Sequence, residues 1–256
     1  VSEHSAGLRT EQLTVRYGGV VANSDISLTV EPGQVVGLIG PNGAGKTTFV
    51  DAVTGFTSCT GEVWLGDRRI DGLAPHRRRE IGLTRTWQSG ELFGNLTVAE
   101  NILVAARPGG VAALGRDVFG RRASRDDRVV ERALAAVGLA DVGRTLARDL
   151  TLGQQKLVGV ARALAGTCEL LLLDEPAAGL DSHESLEFAS RVRAIAEQGP
   201  GILLIDHDMS LVLGVCDVVY VLEFGRLIFS GPPDAARTDP AVVAAYLGVP
   251  METADA

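Results

Sequence analysis

Cysteine is scarce in this chain: three residues among 256, at Cys59, Cys168 and Cys216. The number is odd, the spacing is wide and no C-x-x-C pair occurs. Neither a disulfide framework nor a cysteine-held zinc site is expected, and the pattern suits a reducing compartment. Long apolar runs are missing too. Leu170 to Leu173 and Ile202 to Ile205 are strand-sized, well short of the ~18–20 residues needed to cross a bilayer. Basic charge is not in excess: 24 Lys and Arg against 32 Asp and Glu leave a net charge of −8. That balance argues against nucleic acid as the main partner, because such binding rests on phosphate neutralisation by Lys and Arg. The basic clusters Arg77-Arg78-Arg79 and Arg121-Arg122 read as solvated faces. The first residues, VSEHSAGLRTEQ, are polar and acidic rather than signal-like. A soluble, cytoplasmic chain is the expectation. Its mean hydropathy of +0.18 is slightly high, as a fully buried parallel sheet would make it.

What is present centres on GPNGAGKTT, Gly40 to Thr48. It fits G-x-x-x-x-G-K-[ST] through Gly40, Gly45, Lys46 and Thr47, and its flanks match the pattern's needs. Val35 to Ile39 leads in as a buried strand, and Thr47 to Val53 leads out with apolar residues at helical spacing. Backbone N–H groups of Asn42, Gly43, Ala44, Gly45 and the residues that open the helix can then point at phosphate oxygens. The helix N-terminus adds its partial positive charge. Lys46 would reach the β- and γ-phosphates, the Thr47 hydroxyl would ligate Mg²⁺, and Thr48 completes the cradle. The stretch implies a nucleoside triphosphate site.

Around it the pattern is α/β. Short strands fill residues 8–39, including Leu13 to Tyr17 and the alternating Ile26, Leu28 and Val30. Tyr17, before two glycines, is expected at the surface, where it could stack on a base. Gly61 to Leu65 turns at Gly66-Asp67, Pro75 opens a short helix, and Leu83 to Trp87 is a further strand candidate. Thr97-Val98-Ala99-Glu100 is a capping box for a helix that Pro108 stops. Residues 108–123 lack periodicity and read as a surface connection. Helices follow from about Ser124 to Val137 and from Gly153, the latter with Leu157, Val160, Ala161 and Leu164 on one stripe. The α/β alternation then resumes. Leu170 to Asp174 and Ile202 to Asp206 are strands, Ser182 to Gln198 and Met209 to Cys216 are helices, and Val218 to Leu222 with Leu227 to Phe229 form a hairpin. The expected fold class is α/β: a P-loop NTPase core, mostly parallel with helices on both faces, plus a small antiparallel β region and an all-helical subdomain. The single domain of 1–256 divides into a core (1–89 and 164–230), a helical part (90–163) and a helical tail (231–256).

Two strand ends carry acids. Asp174 and Glu175 follow four leucines, at the carboxyl end where ligands of open α/β sheets lie. Asp174 would hold Mg²⁺ and Glu175 would polarise the water that attacks the γ-phosphate. Ile205-Asp206-His207-Asp208 ends another strand, and His207 there suits a γ-phosphate contact.

With these pieces in order, the chain resembles the nucleotide-binding subunit of an ABC transporter over nearly its whole length. Leu150-Thr151-Leu152-Gly153-Gln154 stands where that family has LSGGQ, before a helix. Gln88 matches the Q-loop, Ala178-Gly179-Leu180-Asp181 the D-loop, His207 the switch histidine and Tyr17 the base-stacking aromatic. The resemblance implies ATP hydrolysis with Mg²⁺, Gln88 near metal and reaction, and a head-to-tail pair of ATPase subunits. Thr151, Gly153, Gln154 and Asp181 would then serve the partner's ATP. It further implies integral-membrane permease subunits, an extracytoplasmic solute-binding protein acting indirectly, and a peripheral place on the inner membrane face.

Two departures stand out. Thr151 replaces serine and keeps the hydroxyl, whereas Leu152 replaces the first glycine of the pair, so a working but slower signature is expected. Finer likenesses (PHRRREIGLTRTWQ, LFGNLTVAENILVAA, DEPAAGLDSHE, IDHDMSLVLGVCDVVYVLEFGRLI and DPAVVAAYLG) are similar to the ATPases of branched-chain amino acid importers. Related ATPases serve urea and short-amide importers or extract lipopolysaccharide.

Overall fold

The computed structural model describes residues 7–86, 92–106, 123–206 and 209–247. Two sheets carry the chain. Strands β1 (Leu8–Tyr17), β2 (Val20–Val30), β4 (Thr60–Leu65) and β5 (Arg68–Arg69) form an antiparallel sheet in the order β2-β1-β4-β5. The larger sheet runs β10-β9-β3-β8-β7-β6, from β3 (Val35–Ile39), β6 (Leu83–Thr86), β7 (Leu170–Asp174), β8 (Gly201–Ile205), β9 (Val218–Glu223) and β10 (Arg226–Gly231). Its strands are parallel from β9 to β6, with β10 antiparallel at the edge.

Period-two alternation sorts the large sheet's residues into two cores. Val35, Ile39, Leu171, Leu173, Ile202 and Leu204 face one way, onto helices. Val36, Leu38, Leu170, Leu172, Leu203 and Ile205 face the other, onto helix α1 (Lys46–Thr54) and the antiparallel sheet. This explains why strands with no polar residue until their ends are stable here: both faces are covered. The helical side is built by α3 (Val98–Ala106), α4 (Ala123–Ala136), α5 (Leu152–Leu164), α6 (Ser182–Ala196), α7 (Met209–Val215), α8 (Pro233–Thr238) and α9 (Pro240–Leu247). The short α2 (Pro75–Glu80) lies before β6. The capping box of α3 forms as expected: Thr97 N–H donates to Glu100 Oε2 at 2.7 Å, and Glu100 N–H to Thr97 Oγ1 at 3.3 Å.

Three local readings change. The first two strands are 10 and 11 residues long rather than short. Register shifts near Gln12 and Asp25, both left-handed at φ 49° and 56°, break the alternation that marks a strand in sequence. Helix α5 begins at Leu152, one residue before Gly153. The run Arg77-Arg78-Arg79 is not uniformly a solvated face. Arg77 pairs with Glu80 in solvent, but Arg78 is buried. Its guanidinium donates to the carbonyls of Ala52, Val53, Asp71 and Leu73 at 2.6–2.9 Å. Two of those carbonyls lie in the last turn of α1, where a helix has no internal donors left. Arg78 therefore caps the helix that starts at Lys46. The connection at 108–123 and the end of the tail lie largely or wholly outside the described residues.

Candidate functional site

The loop from Gly40 to Gly45 joins β3 to α1 at the carboxyl end of the parallel strands. Its shape depends on close backbone approach. Gly40 has φ 148°, and a Cβ there would lie 2.0 Å from the Leu222 carbonyl oxygen. At Gly45, with φ 102°, a Cβ would meet Asn23 Nδ2 and the Ala22 carbonyl at 2.7 and 2.8 Å. Strand β2 and the β9–β10 turn hold the loop from outside. Asn23 of β2 donates to the Gly45 carbonyl at 3.2 Å, and Gly225 N–H donates to the Ala44 carbonyl at 2.9 Å. Asn42, Gly43 and Thr47 are exposed, Thr48 is half-buried and Ala44 is buried.

Lys46, buried at the first position of α1, donates to the carbonyls of Gly40 at 2.6 Å and Pro41 at 3.0 Å. Burial pulls its ammonium below the ordinary lysine range, while the nearby Glu175, Asp174 and Asp206 carboxylates push the other way. The structure thus brings Lys46 together with both acids at the end of β7 and with Asp206 after β8. Asp206 is buried, and its Oδ2 accepts from Ala177 N–H at 3.4 Å.

Glu175 leaves the strand in a left-handed conformation, φ 46°, with its N–H on the Ile205 carbonyl at 2.7 Å. Such backbone costs a non-glycine residue about 1 kcal/mol or more and gathers at working sites. The strand therefore ends at Asp174, and Glu175 begins the turn that follows it. Nothing in the residue types announces that kink.

Arg85 of β6 is another residue that motifs do not reveal. Its buried guanidinium reaches Asp51 Oδ1 of α1 at 2.6 Å through Nη1, and Asp174 Oδ2 at 2.7 Å through Nη2. The sequence signal was a charged residue inside an otherwise strand-like run, Leu83 to Trp87.

The donor set fits a nucleotide carrying a hard cation. A hydroxyl at Thr47 and a carboxylate at Asp174 are oxygen ligands of the kind Mg²⁺ takes in ones and twos, with phosphates supplying the rest. Among the described residues, no cluster of three or more His, Cys, Asp or Glu suits a metal held by protein alone.

Tyr17 ends β1 half exposed, its hydroxyl 3.2 Å from Thr57 Oγ1. The remaining candidates gather elsewhere, at two helix N-termini. Thr151 caps α5, accepting from Gln154 N–H at 3.3 Å while Gln154 Oε1 accepts from Thr151 N–H at 3.1 Å. Asp181 caps α6 the same way, with Glu184 as the reciprocal partner. A link joins the two ends: Gly153 N–H donates to Glu184 Oε1 at 3.4 Å. The acid of Glu184 thus stands beside the signature segment. Thr151, Leu152 and Asp181 are exposed, and Gly153 and Gln154 half-buried. Gln88 and His207 lie outside the described residues.

The family profile for the ABC transporter matches residues 23–178, from the second strand through the P-loop and signature to the D-loop. The chain belongs to the ABC transporter family. A second profile, for the branched-chain amino acid ATP-binding cassette transporter, matches residues 226–251 of this ABC ATPase. The high-affinity branched-chain amino acid transport ATP-binding protein LivG of Escherichia coli (strain K12) is 37% identical over 250 residues, covering 94% of this chain and 97% of LivG. The lipopolysaccharide export system ATP-binding protein LptB of Acidithiobacillus ferridurans is 33% identical over 242 residues, covering 94% and 96%. Among solved structures, the ADP conformation of an ATP-binding cassette of an ABC transporter superimposes with a TM-score of 0.85 at 28% identity, covering 95% of this chain and 99% of that one. The P-loop NTPase core with its small antiparallel sheet is the ABC cassette fold. Among the described residues, no helix of this ABC ATPase is long and apolar enough to cross a membrane.

Proposed function

We propose that this ABC ATPase hydrolyses ATP to drive import of branched-chain amino acids, or a similar small polar solute, through separate permease subunits. The observation that carries the ATPase part is the buried Lys46 under the glycine loop, within electrostatic reach of both Asp174 and Glu175. The match at residues 226–251 favours the importer over a lipopolysaccharide-exporting type.

In this reading, loop amides from Gly40 to Thr48 and the Lys46 ammonium take the phosphate charge, and Tyr17 stacks on the base. Thr47, Asp174 and Gln88 would hold Mg²⁺, whose double charge offsets that of the phosphate oxygens when bound. Glu175 orients and polarises the attacking water, and His207 contacts the γ-phosphate. Thr151, Gly153, Gln154 and Asp181 complete the site of a second ABC ATPase subunit, a copy or a paralogue, arranged head to tail. The pair works peripherally on the cytoplasmic face of integral-membrane permeases, with an extracytoplasmic solute-binding protein acting through them.

Glu175→Gln keeps the shape and removes the base. Phosphate release by the subunit assembled with its permease should fall about 100-fold or more, with ATP binding kept and the ATP-bound dimer stabilised. Normal turnover would remove Glu175 from the mechanism. Proteoliposomes with the copurifying membrane subunits and binding protein should take up leucine; lipid extraction instead would overturn the import reading.

A further inference from the structure

Arg85 sits where the P-loop helix, the edge strand of the parallel sheet and the end of β7 meet. Register places it beside Leu172, two residues before Asp174. Its side chain is 6% exposed, that of Asp174 11% and that of Asp51 29%. One guanidinium spans two carboxylates, one on each Nη. Asp51 lies on α1, four residues after Thr47, so the same cation ties the helix carrying Thr47 to the acid ending β7.

We infer that Arg85 is a positioning residue that fixes the Asp174 carboxylate, and α1 with it, for Mg²⁺ delivered with ATP. The inference rests on the nucleotide-binding reading above. A carboxylate at the end of a strand can rotate about χ2, and a ligand that rotates binds a metal less tightly than one held in place. Arg85 takes Oδ2 of Asp174 and leaves Oδ1 for other work. The second arm, on Asp51, keeps the guanidinium from following Asp174 if that side chain turns. Lysine cannot reproduce this, because its ammonium is a point charge without a planar fork.

Charge and orientation act in opposite directions here, which makes the idea separable from simple electrostatics. A cation beside Asp174 repels Mg²⁺, so charge alone predicts tighter metal binding when Arg85 is neutralised. Orientation predicts weaker binding when the fork is lost, even with the charge kept. A purely structural bridge predicts neither: the fold weakens and nucleotide affinity falls alike with and without metal.

The test uses the full chain and a fluorescent ATP analogue, with its affinity measured in excess Mg²⁺ and again in EDTA. The ratio of the two affinities reports the metal's contribution. Arg85→Lys and Arg85→Met should each lower that ratio about 10-fold, within the 10–100-fold range for residues that orient metal ligands. Affinity in EDTA should stay within about two-fold. An unchanged ratio in both variants overturns the inference, as does a higher ratio in Arg85→Met with Arg85→Lys unchanged. So does an equal loss in both conditions. Should Arg85→Met fail to fold, Arg85→Lys alone decides. Wild-type protein that binds no nucleotide would sink the functional reading itself, while wild-type binding strengthened by Mg²⁺ with indifferent variants sinks only the role of Arg85.

Discussion

The two ends of this ABC ATPase that suit phosphate are built in opposite ways. The P-loop end is braced from several elements: β2 through Asn23, β9 against Gly40, the β9–β10 turn through Gly225, and α2 through the cap of Arg78 on α1. Its cation is buried, and its acids stand at or just past the ends of strands whose residues are covered on both faces. The signature end is an exposed helix N-terminus whose amides are met by its own Thr151 and by Glu184. One end is a socket that a single chain can complete. The other is a surface whose amides meet one cap residue and one acid of α6, and it gains a deep environment only if another molecule supplies one. That difference suits the shared site proposed above, and it predicts unequal responses to mutation.

The largest response should come from Gly40→Ala. A Cβ would have to occupy space 2.0 Å from the Leu222 carbonyl oxygen, at a backbone φ of 148° that alanine disfavours. Because the Leu222 oxygen is backbone and a Cβ is fixed by its own Cα, neither can swing away, and β9 must shift. Overpacking and backbone strain together should cost roughly 4 kcal/mol, read by urea denaturation, with ATP affinity lost as well. A variant of near wild-type stability would show that the socket is far more compliant than its contacts suggest.

Arg78→Ala comes next. Four carbonyls lose the guanidinium, two of them in the last turn of α1 (Ala52 keeps the Gly55 N–H at 3.2 Å), and a cavity opens beneath Gly55. Hydrogen bonds from a charged donor and the unsatisfied groups left behind point to a loss of about 3 kcal/mol. It should appear as a lower urea midpoint, with ATP affinity falling because α1 frays from the end opposite Lys46. If the midpoint stays put, the bracing of the P-loop helix from α2 is not structural.

How much of this was legible follows from what each feature depends on. The buried strands, the P-loop and the cap at Thr97 depend on local residue order, so residue type and spacing announced them; the boxes at Thr151 and Asp181 are just as local but stood in the sequence as family motifs rather than as caps. Arg78 and Arg85 did not announce themselves. Their roles arise from contacts 25–34 and 89 positions away, and each stands in a setting that suggests something else. One is the middle of a basic run, the other a charge in a strand. The long first hairpin was hidden for the opposite reason: bulges at Gln12 and Asp25 spoil a local pattern whose pairing is otherwise intact. The left-handed turn at Glu175 depends on the Ile205 carbonyl of a different strand, and no property of glutamate foretells it.

The smallest folding effect, and the sharpest test of the contrast, lies at Leu152. It is 42% exposed at the first position of α5, with Cδ2 3.2 Å from where a Cβ on Gly179 would stand. It touches the D-loop but buries little. Leu152→Gly removes that contact and loosens the first helical turn, yet the Thr151–Gln154 box survives, so stability should drop by no more than about 1 kcal/mol. In the assembled transporter the outcome should be a faster ATPase, since glycine lets a partner's phosphate approach the Gly153 and Gln154 amides more closely. Equal turnover would mean that Leu152 is neutral at the shared surface. A drop in turnover would mean that the leucine is a contact this assembly uses, and that the signature end is more specialised than its exposure indicates.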